Sequence, residues 1–131
     1  MKYLLDTNIC IALLKNAEPA LVKRFTGQAP TEYALCSIVR AELLYGARKS
    51  QNVEKNLSLL SNFFSHFQSL SFDDAASEFY GTQRAILEKA GTPIGQADLM
   101  IAGIALANEL TLITRNRKEF LRVHGLKVET W

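Results

Sequence analysis

Cysteine is scarce in this chain: only Cys10 and Cys36 occur among 131 residues, both inside apolar stretches. Two thiols are too few for a disulfide scaffold or a zinc site, and both read as small buried side chains. Histidine is equally sparse, and His66 and His124 read as surface or packing residues, not as an acid–base pair. No apolar run reaches the roughly 20 residues of a membrane span, and the longest, Leu99 to Ala107, falls far short. Lys2 and Asp6 interrupt the apolar opening, which is not a signal-peptide pattern, so a cytoplasmic protein is expected. Internal repeats, low-complexity tracts and linkers rich in Pro, Gly or Ser are also missing. An excess of one charge is missing too: 15 basic residues stand against 13 acidic ones, for a net charge of +2. So weak a bias says little about polyanions, and the acids have to be judged by position.

What is present is ordinary globular material, 48% apolar and 21% charged, in a length that suits one domain over residues 1–131. Short apolar runs alternate with helical patterns. Strands are expected at Lys2–Leu5, Tyr33–Cys36, Ser69–Phe72 and Thr111–Thr114, with an edge strand at Leu126–Glu129. Helices are expected at Thr7–Lys15, from Pro19 to about Phe25, and from a Ser37 cap to about Lys49. Further helices should cover Asn52–Phe67, the stretch from an Asp73 cap to about Ala90, Gly95 to about Leu110, and Lys118–Val123. Gly91-Thr92-Pro93 stops the fifth of these. Such alternation implies an α/β fold, a parallel sheet with helices on both faces and sites at the carboxyl ends of its strands.

Three acids occupy informative positions. Asp6 directly follows the first strand, where it can cap a helix, face a metal with its other oxygen, or do both. Asp98 is the only ionisable residue from Ile94 to Ala107, within a helix that looks buried on nearly all sides. A charge there is costly unless paired, neutralised or metal-bound, although a first-turn dipole contact lowers the cost. Glu42 lies in the helix after the second strand. It reads either as a solvated face, with Arg40 or Arg48 as ion-pair partner, or as a third member of a cluster. Carboxylates converging from three strand ends need a compensating cation. Oxygen-rich sites suit Mg²⁺ or Mn²⁺, whose natural chemistry is phosphodiester hydrolysis.

The local sequences Tyr3-Leu4-Leu5-Asp6-Thr7-Asn8, Ala41-Glu42-Leu43 and Pro93-Ile94-Gly95-Gln96-Ala97-Asp98-Leu99-Met100-Ile101-Ala102 resemble the PIN domain. More narrowly they resemble the VapC toxins of type II toxin–antitoxin pairs. The closing Leu112-Ile113-Thr114-Arg115-Asn116, Glu119-Phe120 and Gly125-Leu126-Lys127-Val128-Glu129 agree, so the resemblance runs the whole chain. It implies a PIN-like three-layer α/β/α sandwich with four to five short parallel strands, and an Mg²⁺- or Mn²⁺-dependent endoribonuclease. By the same resemblance Asp6, Glu42 and Asp98 match the metal-binding acids, and Thr7 and Thr114 the hydroxyl-bearing positions beside them. Where the family often has an acid, this chain has Asn116, with Glu119 three residues on as its replacement.

The resemblance further implies an RNA substrate, with tRNA and initiator tRNA favoured over ribosomal RNA loops. It also implies a small VapB-like antitoxin and a homodimer within a larger assembly. Arg115, Arg117 and Lys118 flank the expected site and are the preferred phosphate contacts. The apolar residues Ile9, Ile11, Leu14, Phe63, Phe64 and Phe67 serve either partner contacts or the core. Two other phosphoryl-transfer folds fit poorly. A receiver domain needs paired acids ending its first strand, and a haloacid-type phosphatase needs Asp-x-Asp where this chain has Asp6-Thr7-Asn8. Asn116 keeps open a binding protein of PIN type with weak catalysis.

Overall fold

A computed structural model covers every residue from Met1 to Trp131 and contains one five-stranded sheet, all parallel, in the order β3-β2-β1-β4-β5. The strands are β1 (Tyr3–Leu5), β2 (Tyr33–Cys36), β3 (Gln68–Leu70), β4 (Thr111–Ile113) and β5 (Val128–Glu129). Between them run α1 (Thr7–Lys15), α2 (Pro19–Thr26), α3 (Ser37–Arg48), α4 (Val53–Phe64), α5 (Asp74–Lys89), α6 (Gln96–Ala107) and α7 (Arg117–Phe120). The α/β expectation is met, and the burial of β1 and β2 along their whole length is what parallel strands covered on both faces require.

The strand order creates the site before any side chain is considered. From β1 the chain steps outward to β2 and β3, then returns across β1 to β4 and β5. Crossovers therefore diverge at the carboxyl ends of β1 and β4, the switch point where open α/β sheets form their crevice. Pairing of Leu5 with Ile113 places the next two residues, Asp6 and Thr114, side by side.

Helix α6 is the buried element that the sequence implied, with Leu99 and the run Ile101–Ala105 inaccessible to solvent. It seats directly on α5. A Cβ at Gly103 would lie 2.8 Å from the Ala76 carbonyl oxygen, so only glycine allows this approach. Asp73 caps α5 as expected, its carboxylate accepting from the Ala76 N–H at 3.0 Å.

Several boundaries differ from expectation. The cap of α3 is Cys36, with Ser37 already the first helical residue. Helix α4 stops at Phe64, and Phe67 packs from the following turn against Phe25 and Phe63. Strand β3 begins earlier, at Gln68, and α7 is the shorter segment Arg117–Phe120. A 3₁₀ turn at Pro30–Glu32, not anticipated, leads into β2. Helix α6 ends at Ala107 instead of near Leu110, because Glu109 adopts a left-handed φ of 53°. The Leu110 N–H then reaches back to the Ala105 carbonyl at 2.9 Å and that of Glu109 to Leu106 at 3.2 Å, the Schellman closure that glycine usually makes.

Candidate active site

Asp6 directly follows β1 and caps α1. It is 5% exposed, and both carboxylate oxygens are engaged. Oδ1 accepts the Thr7 N–H at 2.8 Å, and Oδ2 accepts the Thr114 hydroxyl at 2.6 Å. The cap expected of Asp6 is present, and its other oxygen is held by Thr114. Burial pushes the Asp6 carboxyl above its usual range and the Glu42 charge adds to this, while the bonds from Thr114 and Thr7 oppose the rise.

Glu42 is exposed on α3, but neither suggested cation is its partner. It accepts the Thr7 hydroxyl at 2.7 Å, whereas the Arg40 guanidinium lies over the Phe64 ring. Thr114 is fully buried and bonded twice, donating to Asp6 and accepting the Asn116 N–H at 2.9 Å. The Asn116 amide in turn donates from Nδ2 to Asp98 Oδ2 at 3.3 Å and to Glu119 Oε2 at 3.1 Å. Six hydrogen bonds thus run unbroken from Glu42 through Thr7, Asp6, Thr114 and Asn116 to Asp98 and Glu119. The seven residues expected in the carboxylate cluster fall in this one network, whereas Arg115, Arg117 and Lys118 stay outside it. Glu119 does project into it from α7.

The network is short of positive charge. The ion pairs of the molecule are Met1–Glu32, Arg24–Glu129, Arg84–Glu88 and Arg115–Glu18, and none includes Asp6, Glu42, Asp98 or Glu119. Asp98 registers the result: its carboxyl is pushed up to about 6, first by burial, then by the Asp6 charge, by Glu119 and by Glu42. Threonine hydroxyls and the Asn116 amide space the acids apart, so no three of them already stand as a ligand set. Hard oxygen donors, mutual repulsion and no protein cation make a donor set that fits a divalent ion such as Mg²⁺ or Mn²⁺.

The flanking cations divide. Arg117 and Lys118 are exposed and enter no ion pair. Arg115 is engaged by Glu18 in a two-pronged pair at 2.9 and 2.6 Å. Sequence reading missed Glu18, since no local signal connects residues 97 positions apart. A groove of about 440 Å³ opens beside Glu42, lined by Ile11, Leu14, Leu43, Leu59 and Leu60. Ile9 belongs to the core, as do the packed faces of Phe63, Phe64 and Phe67. The two histidines are exposed and lie outside the network.

Comparison with known proteins gives one consistent picture. The PIN domain model matches residues 3–126. The tRNA(fMet)-specific endonuclease VapC of Shigella flexneri is 42% identical over 131 residues, covering 100% of this chain and 98% of that protein. The crystal structure of DNA-bound VapBC from Salmonella typhimurium contains a chain with TM-score 0.94 and 39% identity, spanning 100% of this chain and 98% of that one. VapBC2 from Rickettsia felis, bound to a DNA fragment from its promoter, gives a TM-score of 0.92 at 39% identity, spanning 100% and 99% of the two chains.

Proposed function

The chain belongs to the PIN-domain family, and from that premise we propose that it is a metal-dependent endoribonuclease, the toxin of a type II toxin–antitoxin pair. The observation that carries the reading is the carboxylate network at the switch point, four acids joined by neutral donors and compensated by no protein cation. Asp6, Glu42 and Asp98 are the residues that would hold Mg²⁺ or Mn²⁺, with Glu119 next to them. The ion would activate a water and neutralise charge developing on the scissile phosphate. Thr7 and Thr114 fix the Glu42 and Asp6 carboxylates through their hydroxyls, and Asn116 orients Asp98 and Glu119. Arg117 and Lys118 bind the RNA backbone at the rim of the site, joined by Arg115. The products would carry a 5′-phosphate and a 3′-hydroxyl, as attack of a metal-activated water at phosphorus gives without help from the 2′-hydroxyl.

The favoured substrate is tRNA, initiator tRNA first, in line with the named specificity of the Shigella flexneri relative. A VapB-like antitoxin is the proposed partner, since the Salmonella typhimurium and Rickettsia felis structures are VapBC complexes. The apolar groove beside Glu42 is the surface on which such a segment would cover the site. A homodimer within that assembly and one catalytic domain over the whole chain complete the reading.

The test is a cleavage assay of antitoxin-free protein on total tRNA and ribosomal RNA with Mg²⁺, Mn²⁺ or EDTA. Discrete fragments that need the ion and vanish with Asp98→Asn are expected. No cleavage by folded protein under any of these conditions would move the reading to an RNA- or antitoxin-binding module.

A further inference from the structure

Arg115 stands in the chain between the two residues that organise the acids, Thr114 and Asn116, yet its guanidinium serves neither. Nη1 donates to Glu18 Oε2 at 2.9 Å and Nη2 to Glu18 Oε1 at 2.6 Å. Two parallel charge-assisted bonds between a planar fork and two oxygens are the geometry arginine offers to a carboxylate and to a phosphate alike. Arg115 forms no ion pair with Asp6 or Asp98, and its guanidinium is held on Glu18. Glu18 in turn has no other engagement. It precedes Pro19 at the start of α2, and its side chain caps none of that helix's free N–H groups. The pair is 35% and 46% exposed at the side chains, open to a polyanion arriving from solvent. Two residues further on, Arg117 and Lys118 are exposed and free of ion pairs.

We infer that Glu18 sets the RNA affinity of this chain by holding the guanidinium fork of Arg115 in place of a backbone phosphate, which must displace it on binding. The inference rests on the ribonuclease reading above. One negative group is exchanged for another at a fixed cation, so Glu18 opposes RNA binding at a single locus instead of through its general charge. The displaced carboxylate has an alternative position at the N-terminus of α2, where the unsatisfied N–H groups favour an anion.

Binding of bulk tRNA, followed by fluorescence anisotropy in EDTA so that nothing is cleaved, tests this with four proteins: wild type, Glu18→Gln, Arg115→Gln and the double variant. Glu18→Gln is expected to tighten binding by roughly 1.4- to five-fold, the range for losing a competing solvent-exposed ion pair. Arg115→Gln should weaken binding and reduce the salt dependence, log K against log salt, by about 0.7 to 0.9 in slope, one phosphate contact. The double variant should match Arg115→Gln, because Glu18 has nothing left to mask. A gain from Glu18→Gln that persists in the Arg115→Gln background would mean long-range charge alone and overturn the inference. Unchanged affinity in Glu18→Gln would overturn it too, since the pair would then survive in the complex. Folded wild-type protein that binds neither tRNA nor ribosomal RNA, in EDTA or with Ca²⁺ in its place, overturns the ribonuclease reading itself, whereas binding indifferent to Glu18 overturns only this inference.

Discussion

Strand β1 contributes to two neighbourhoods of opposite character, three residues apart. Tyr3 joins an aromatic layer in which its ring centroid lies 5.6 Å from Tyr33 and 5.3 Å from Trp131, while Phe25 stacks on Tyr33 at 4.4 Å. Every polar group at the edge of that layer has a partner of the right kind. The Tyr33 hydroxyl donates to the Phe25 carbonyl at 2.8 Å, Glu129 meets Arg24 at 3.2 Å, and the Trp131 indole N–H donates to Glu129 at 3.2 Å. Asp6 instead enters a cluster of like charges held only by neutral donors. Ring stacking adds to hydrophobic burial, whereas crowding carboxylates subtracts from stability. The first neighbourhood is a source of stability and the second a drain on it.

Opposite signs of mutational effect would separate the two. Tyr33→Ala should destabilise the protein by about 3–5 kcal/mol in urea unfolding, the range for losing a buried aromatic ring and leaving a cavity. Tyr33 is 1% exposed and central to the layer, so little collapse can fill the space. Asp98→Asn should instead raise the melting temperature in EDTA at neutral pH while abolishing cleavage. A Tyr33→Ala cost below about 1 kcal/mol would show that the aromatic layer is not the anchor described here.

Proton and metal dependence sharpen the other half of the comparison. Asp98 titrates at about 6 in the folded protein, against about 3.9 in an unfolded chain. Between those values the folded state holds a proton that the unfolded state has released, so stability falls as pH rises from about 4 to about 6 and stays lower above that. Asp6, also raised, acts in the same direction. In EDTA the melting temperature should decline across this window, and Asp98→Asn should flatten the decline. Mg²⁺ or Mn²⁺ should restore stability, with a larger increment near about pH 7.5 than near about pH 5, where protons compete for the same oxygens. Equal increments at both pH values would place ion binding somewhere other than on these acids.

Much of this was legible beforehand because the informative residues are adjacent to strand ends. Asp6 and Thr114 follow their strands directly, and parallel topology brings such positions together whatever the intervening sequence. The lone charge of Asp98 in an apolar helix was equally visible. The unreadable parts depend on contacts between distant residues. Glu18 meeting Arg115, and Glu42 accepting the Thr7 hydroxyl in place of a cation, are decided by packing angles that no local pattern encodes. Helix ends were missed for a different reason. Gly91 announces the end of α5 by residue type, and its φ of 74° agrees. Glu109 takes the equivalent place after α6 without being glycine, so periodicity alone carried the expected helix on to Leu110.

That difference separates two kinds of strain at the two ends of α6. At its first turn, Asp98 is strained by charges that the proposed chemistry needs. At its end, Glu109 is held in a left-handed conformation that costs an L-residue roughly 1 kcal/mol, and its side chain is exposed with no hydrogen bond or ion pair of its own. Glycine would remove that cost but lose more freedom on folding, leaving a net gain of roughly 0.5 kcal/mol, or about 1–3 °C in Tm. Glu109→Gly should therefore stabilise the protein with no change in cleavage rate or metal response, whereas any stabilisation gained at Asp98 comes with loss of activity. If Glu109→Gly altered cleavage, α6 would transmit strain from one end to the other, and the two regions would have to be treated as one coupled element.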